Sequence, residues 1–183
     1  MKRLTTALMV GTLGLALAGL PRTANAQARG YVLLGGGLAI PVGDFHDAGA
    51  KTGWLAQVAG GITAPSGVLG GRVNGTFSRN GFTDSDEHFR IIGAMGDLVV
   101  SPKMQGSIAP YVLGGVGFQN GKATDTGVTE NGVTKFAWNA GAGIGFRAGS
   151  IGIYLEGRFL SIRTPGSATN LIPISAGIRW GGH

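Results

Sequence analysis

The side chains best suited to catalysis are one histidine and its hydroxyl and carboxyl neighbours. His88 directly follows Glu87, and Ser78 and Ser85 lie close to it in the sequence. A serine, a histidine and a carboxylate together can form an ester-hydrolysing site. A lone histidine at a strand end more often has no catalytic role. We therefore expect that the protein is not an enzyme, and ester hydrolysis at this group stays an alternative.

Two acidic clusters have the residue types of a metal site. His46 lies between Asp44 and Asp47, and a second cluster contains Asp84, Asp86 and Glu87. A metal site needs further ligands that converge from elsewhere in the chain, and no such set is visible. Both clusters are therefore predicted to be solvated loops, and we expect no bound metal.

Two glycine-rich stretches resemble cofactor motifs only in part. The stretch 115–122 would need glycine and a hydroxyl residue where Val116 and Ala123 stand, so it is not a phosphate loop. The stretch 143–148 fits a loose dinucleotide fingerprint but lies within a predicted strand and opens no helix. We expect no cofactor.

The elements that position these residues are strands. Successive residues from Lys135 to Arg147 alternate, with bulky apolar side chains such as Phe136 and Ile144 on one face and small or charged ones on the other. Period two indicates a strand, and a bulky face opposite a small or charged face favours a barrel whose apolar face contacts lipid. The same reasoning predicts eight strands, at 28–40, 53–64, 68–80, 88–100, 108–119, 135–147, 151–163 and 171–180.

The links between these strands alternate in length. The second and sixth, 65–67 and 148–150, have tight-turn compositions. The first, third, fifth and seventh are more polar, and the fifth, Asn120 to Thr134, is the longest. Short turns at one end and longer loops at the other are typical of an outer-membrane barrel whose termini are periplasmic.

The N-terminal segment predicts export. Lys2 and Arg3 precede an uncharged run, Leu4–Leu20, and the small residues Ala24 and Ala26 follow. This is the pattern of a signal peptide cleaved after Ala26, although a 17-residue run is also near the lower limit for a membrane anchor. We predict a signal peptide at 1–26 and a single β-barrel domain at 27–183.

Composition agrees with an exported β-protein. Glycine accounts for 36 of 183 residues and there is no cysteine, which excludes a small disulfide-stabilised domain. The net charge is +6, and removal of Lys2, Arg3 and Arg22 leaves 12 basic and 9 acidic residues, or +3. No basic run or aromatic-basic stripe is present, so we expect no nucleic-acid partner.

Aromatic and polar side chains divide between two predicted locations. Two aromatic belts are expected at the membrane boundaries, formed by Trp54, Phe77, Phe89, Phe136, Trp138 and Phe159 at one end and Tyr31, Tyr111, Phe146, Tyr154 and Trp180 at the other. A polar network is expected inside the barrel, formed by Arg72, Asn74, Asn139, Arg147, Glu156, Arg158 and Arg179. Glu156 is predicted to pair with Arg179, Arg158 or Arg147, and hydration of these groups is the alternative.

Three segments resemble a known family. The sequence resembles the small outer-membrane β-barrels of the OmpA and OmpX type in three places. These are the strand around Pro110-Tyr111 with its alternating glycines, the link that begins at Pro41, and the closing strand that ends at Trp180. The closing strand also resembles the signal that the barrel-assembly machinery reads, although Gly182 stands where that family usually has a further hydrophobic residue. The resemblance implies an all-β, eight-stranded antiparallel up-and-down transmembrane barrel in the bacterial outer membrane.

The expected function is structural or interactive. An eight-stranded barrel is only wide enough for side chains to fill its interior, so we expect a lumen closed by polar side chains. Extracellular loops, above all 120–134, would contact a partner, with outer-membrane lipids and the assembly machinery as further partners. A narrow channel, a lipid-modifying outer-membrane enzyme and a soluble periplasmic barrel remain alternatives.

Overall fold

The computed structural model of the chain describes residues 28–82, 88–103, 106–125, 128–129, 132–148, 151–164 and 167–181. The predicted signal peptide, Ser85 and the acidic cluster at Asp84, Asp86 and Glu87 lie outside these ranges. Within them the structure is almost entirely β. The strands are β1 (Arg29–Val42), β2 (Gly53–Thr63), β3 (Leu69–Gly81), β4 (His88–Val100), β5 (Ile108–Asp125), β6 (Val128–Thr129), β7 (Val133–Ala148), β8 (Ile151–Thr164) and β9 (Ser167–Gly181).

The sheet closes on itself. Neighbouring strands follow the order β4-β3-β2-β1-β9-β8-β7-β5, and β4 also pairs with β5. Every pairing is antiparallel, including the seam between the first strand and the last, where Val32 is opposite Trp180. The two-residue strand β6 only extends a hairpin at the end of β5. Eight long strands therefore form the closed up-and-down barrel that the sequence predicts.

The barrel has a short-turn end and a long-loop end. The short-turn end holds both termini of the described chain and the turns after β2, β4 and β7. The first of these turns is a tight one in which the Gly67 amide donates to the Ala64 carbonyl at 2.8 Å, and Gly67 has a φ of 73°. The long-loop end includes the one helix of the described residues, α1 (Asp44–Asp47), which was not predicted.

Several strands extend further at the long-loop end than predicted, most of all β5 and β9. β5 continues to Asp125 and β7 begins at Val133, with Asn120 opposite Thr134. β9 begins at Ser167, which pairs with Thr164. The predicted loops at 120–134 and 164–170 are therefore largely strand, because the sheet continues past the point where the apolar alternation ends.

Side chains alternate between the lumen and the outer surface. Phe136, Leu155 and Ile174 lie on the outside, with 42%, 47% and 40% of their surface exposed. Inward positions are buried and include most of the charged residues of the mid-barrel. An apolar exterior around a polar interior is the arrangement of a barrel in lipid. Among the described residues, no helix is long and apolar enough to cross a membrane.

Inward-facing glycines make room for large side chains. A Cβ atom on Gly61 would overlap the ring of Tyr31, and one on Gly143 would overlap the ring of Tyr111. Each tyrosine ring lies over the adjacent strand, because Tyr31 is directly opposite Gly61 and Tyr111 is directly opposite Gly143, where no side chain is present. The high glycine content therefore serves packing inside a narrow barrel.

Candidate functional site

Four charged side chains meet in the middle of the lumen. The Arg72 guanidinium donates to the Asp97 carboxylate at 3.2 Å and to the Glu156 carboxylate at 2.8 Å. Arg158 donates to Glu156 at 2.6 Å and to Asp97 at 3.4 Å. All four side chains are at most 6% exposed, so two positive and two negative charges form a neutral, buried cluster. We call these four residues the ion cluster.

Neutral polar groups complete the coordination of the ion cluster. Asn139 donates to the second oxygen of Asp97 at 2.8 Å, and the Tyr111 hydroxyl donates to Glu156 at 2.9 Å. Gln57 accepts a bond from Arg158 at 3.5 Å and donates to the Tyr154 hydroxyl at 2.6 Å. Buried charges are tolerated where their remaining donors and acceptors are satisfied in this way.

The strand register creates the ion cluster. Arg72 on β3 is directly opposite Asp97 on β4, so their inward side chains are neighbours. Glu156 and Arg158 are two residues apart on β8 and share one face. The two pairs come from opposite sides of the barrel and meet across the lumen, 84 residues apart in sequence between Arg72 and Glu156.

The predicted interior residues fall into three groups. Arg72, Asn139, Glu156 and Arg158 lie in or against the ion cluster. Asn74 is buried on the same inner face, and its amide has no hydrogen-bond partner among the described residues. Arg147 and Arg179 also face inward but lie at the short-turn end, so of its three predicted partners Glu156 pairs with Arg158 and with neither of these two. Glu156 is opposite Ser175 on β9 and lies away in register from Arg179, which is opposite Gly152.

Sequence reasoning missed Asp97 and Gln57. Asp97 is an even number of residues from Ile91 and Met95, so all three share the buried inner face of β4. Arg90 is exposed on the outer face. Ile91 and Met95 line the lumen and do not face lipid, so the apolar residues of this strand did not identify its outer face. The sequence did contain one indication of the Arg72–Asp97 pair, because Asp97 is an acidic residue on the strand that directly follows the strand of Arg72.

An apolar layer lies between the ion cluster and the long-loop end. Its side chains are at most 5% exposed: Ala39, Leu55, Ile91, Met95, Ala137, Ile162 and Leu171. Phe89 and Leu160 pack against it, as does Phe45 of α1, whose ring centroid is 5.5 Å from that of Phe89. The helix therefore covers this end of the lumen with an aromatic side chain.

The aromatic residues predicted for the two belts lie on both faces of the sheet. Of this predicted set, the residues on the outer face are Trp54, Phe77, Phe136, Trp138, Phe159, Phe146 and Trp180. The ring centroids of Trp54 and Phe77 are 5.1 Å apart and those of Trp138 and Phe159 are 5.5 Å apart, with the two rings tilted in each pair. Tyr31, Tyr111, Tyr154 and Phe89 face the lumen instead, so their assignment to the belts is wrong. These residues were assigned to a belt because they lie near strand ends. The alternation of side chains along a strand, however, decides whether a residue faces the lumen or the lipid.

The described members of the candidate catalytic and metal groups do not come together. His88 lies on the outer face of β4, whereas Ser78 is buried on the inner face of β3 and pairs in register with Ile91. His46 is exposed on α1. In the part of the chain that the structure describes, no three metal-ligating side chains converge.

Comparison with known proteins agrees with this architecture. Residues 10–172 match the family model described as outer membrane protein beta-barrel domain. No curated protein sequence matches the chain.

Solved structures share the fold at low sequence identity. Neisserial surface protein A (NspA) is 14% identical with a TM-score of 0.68, covering 84% of this chain and 99% of NspA. Ail, the attachment invasion locus protein of Yersinia pestis, is 17% identical with a TM-score of 0.55, covering 84% and 99%. A major outer membrane protein of Thermus thermophilus is 14% identical with a TM-score of 0.58, covering 85% and 99%. The chain belongs to the outer-membrane protein β-barrel family and is a protein of the outer membrane.

Proposed function

We propose that this protein is a closed, non-conducting barrel that displays its long-loop end at the cell surface for contact with other molecules or cells. The filling of the lumen carries the proposal. The ion cluster spans the middle of the barrel, and the apolar layer lies between it and the long-loop end. An ion that crossed the barrel would have to displace both, because these side chains fill the narrow lumen from its middle to the long-loop end.

Features of the long-loop end support a contact role. This end is extracellular, because outer-membrane barrels have short periplasmic turns and longer extracellular loops. Phe45 anchors α1 to the barrel through Phe82 and Phe89, while Asp44, His46 and Asp47 stay exposed. The link between β1 and β2 is therefore a folded surface element. Two proteins of the same fold carry surface roles in their names, NspA as a surface protein and Ail as an attachment invasion locus protein.

Conductance separates the closed barrel from the narrow channel. Purified protein reconstituted in a planar bilayer should show no steady openings at any applied voltage. Reproducible single-channel steps that scale with protein amount would contradict the proposal. Recovery of the folded barrel from the same vesicles, seen as a band that shifts on boiling, controls for failed insertion.

Cell binding tests the contact role. Cells that display the protein should adhere to a host-cell layer or a glycan-coated surface more than cells that display a variant with link 43–52 replaced by a Gly-Ser linker of equal length. The control is a variant with the periplasmic turn 65–67 replaced in the same way, which should adhere as the wild type does. Equal adhesion of all three would contradict the surface role of this link.

We infer a non-enzymatic protein, because His88 and Ser78 lie on opposite faces of the sheet. Purified barrel should release no fatty acid from phospholipid or lipid A. A measurable hydrolysis that is lost on His88→Ala would contradict this inference and revive the lipid-modifying alternative.

We propose that export and assembly use both ends of the sequence. A signal peptide at 1–26 would be removed after Ala26, and the barrel-assembly machinery would recognise β9, which forms the closing seam with β1. Mass spectrometry of the protein from outer membranes should give a chain that begins at Gln27. A mass that includes residues 1–26 would contradict cleavage.

A further inference from the structure

The charges of the mature chain are unevenly distributed between the two ends of the barrel. Asp97 and Glu156 belong to the ion cluster, and no acidic residue that the structure describes lies on the periplasmic side of it. The other acidic residues that the structure describes, Asp44, Asp47 and Asp125, lie at the extracellular end. The periplasmic mouth has four basic residues, Arg29, Lys103, Arg147 and Arg179, and no acid among its described residues.

This mouth opens into a cavity of about 460 Å³ inside the barrel. The four basic residues contribute to its lining, together with the inward tyrosines Tyr31, Tyr111 and Tyr154. The ion cluster forms its inner limit, since Arg72 also lines it. We call this space the periplasmic vestibule.

Two arginines converge inside the vestibule. Arg147 on β7 and Arg179 on β9 are both opposite Gly152 on β8, which lies between them and has no side chain. The Arg179 guanidinium carbon lies 4.0 Å from the centroid of the Tyr31 ring, so this arginine is held against the wall by a cation–π contact. Neither arginine forms an ion pair with a described residue.

Inward orientation separates these groups from ordinary lipid anchors. An arginine on the outer face near the membrane boundary extends to lipid headgroups without needing a specific partner. Arg147 and Arg179 face the lumen, where neighbouring positive charges repel each other and no carboxylate of a described residue compensates them. Guanidinium groups bind phosphate oxygens in a forked geometry, and two or more of them match a multiply charged anion better than a single carboxylate.

We propose that the periplasmic vestibule is a binding site for a phosphate-bearing, multiply charged anion, with Arg147 and Arg179 as its principal ligands. The site lies at the opposite end of the barrel from the proposed surface role and does not depend on it. The phosphate group comes either from a soluble periplasmic molecule or from the headgroup of an inner-leaflet lipid.

Pyrophosphate is a suitable probe in an uncharged detergent. In nuclear magnetic resonance spectra of the folded wild type, it should produce saturable shifts in the amides of Gly152 and Gly181, with the amides of α1 unchanged. The absence of saturable shifts, or shifts confined to the extracellular end, would overturn the proposal. Citrate is the comparison anion, and binding as tight as that of pyrophosphate would overturn the preference for phosphate.

Matched variants test the two arginines by calorimetry. Arg147→Gln with Arg179→Gln should weaken pyrophosphate binding by about tenfold for each guanidinium removed, because charge-assisted hydrogen bonds are lost. The control, Arg79→Gln with Arg90→Gln, removes the same charge from the outer face at the other end and should leave binding unchanged. Equal weakening in both variants would overturn the site. If the double variant does not fold, the single Arg147→Gln at the exposed mouth replaces it.

Nanodiscs distinguish the two sources of the phosphate group. If phosphatidylglycerol added to phosphatidylcholine discs reproduces the Gly152 shift and competes with pyrophosphate, the source is a lipid headgroup. If pyrophosphate alone produces the shift, the source is soluble. A shift at Gly152 in neither arm would overturn the proposal.

Discussion

Replacement of Glu156 by glutamine tests the ion cluster most directly. Glu156 accepts hydrogen bonds from Arg72 at 2.8 Å, from Arg158 at 2.6 Å and from Tyr111 at 2.9 Å. Glutamine has almost the same shape but is neutral. Its amide NH2 group, which replaces one carboxylate oxygen, would face the N–H and O–H groups that now donate to Glu156. The cluster would then hold two guanidinium groups and a single carboxylate in a buried site.

The expected cost is about 3–5 kcal/mol of unfolding free energy, the range for a buried ion pair that loses one partner. A second change, Arg158→Gln, in the same protein restores the charge balance between Arg72 and Asp97. Because the two residues contact each other, the double variant should lose less stability than the sum of the single variants, by about 0.5–3 kcal/mol.

The assay is urea unfolding in lipid vesicles, followed by electrophoresis of unheated samples in which the folded barrel migrates differently. Asp47→Asn, at an exposed position of α1, is the matched control and should change stability by no more than about 0.5 kcal/mol. A midpoint for Glu156→Gln that equals that of the wild type would show that hydration, and not pairing, satisfies these charges. Strict additivity in the double variant would refute the coupling.

Three further substitutions test other parts of the barrel by the same unfolding measurement. Tyr111→Phe removes one hydrogen bond to Glu156 and should cost about 1 kcal/mol, and a loss as large as that of Glu156→Gln would contradict this assignment. Leu155→Arg places a charge on the outer surface between the two predicted aromatic belts and should cost about 2–4 kcal/mol, whereas an unchanged midpoint would argue against contact with lipid at this residue. Phe45→Ala removes the ring that packs on Phe89 and should cost about 1–3 kcal/mol, less than truncation of a fully buried phenylalanine, while wild-type stability would show that α1 is not anchored by this contact.

The sequence predicted the strands well because alternation is a local property. The fourth strand, at 88–100, has the predicted bounds, and the second, at 53–63, ends one residue earlier than predicted. The extension of β5 to Asp125 was not predictable from apolar alternation, because inter-strand pairing continues there through polar residues. The helix α1 is too short to show a period.

The interior was only partly predictable, for two physical reasons. Parity assigns Arg72 and Glu156 to the lumen, but their contact depends on closure of the sheet, which brings β3 opposite β8. The many glycines of β5 left its inner and outer faces unassigned from sequence, so the inward orientation of Tyr111 was not predicted. On the fourth strand, Arg90 and Asp97 point to opposite faces, so the positions of the charges did not identify the inner face, and Asp97 was not assigned to the lumen.

The position of the ion cluster restricts the order of events during assembly. Arg72 and Asp97 arrive on β3 and β4, whereas Glu156 and Arg158 arrive on β8, late in the chain. In a half-formed sheet, each arginine and each carboxylate would lack the partner that comes from the other side of the barrel. The strands that shield the lumen from acyl chains would also be missing. Insertion and ring closure are therefore expected to occur as one event, and a fragment that ends before β8 should not persist in the bilayer.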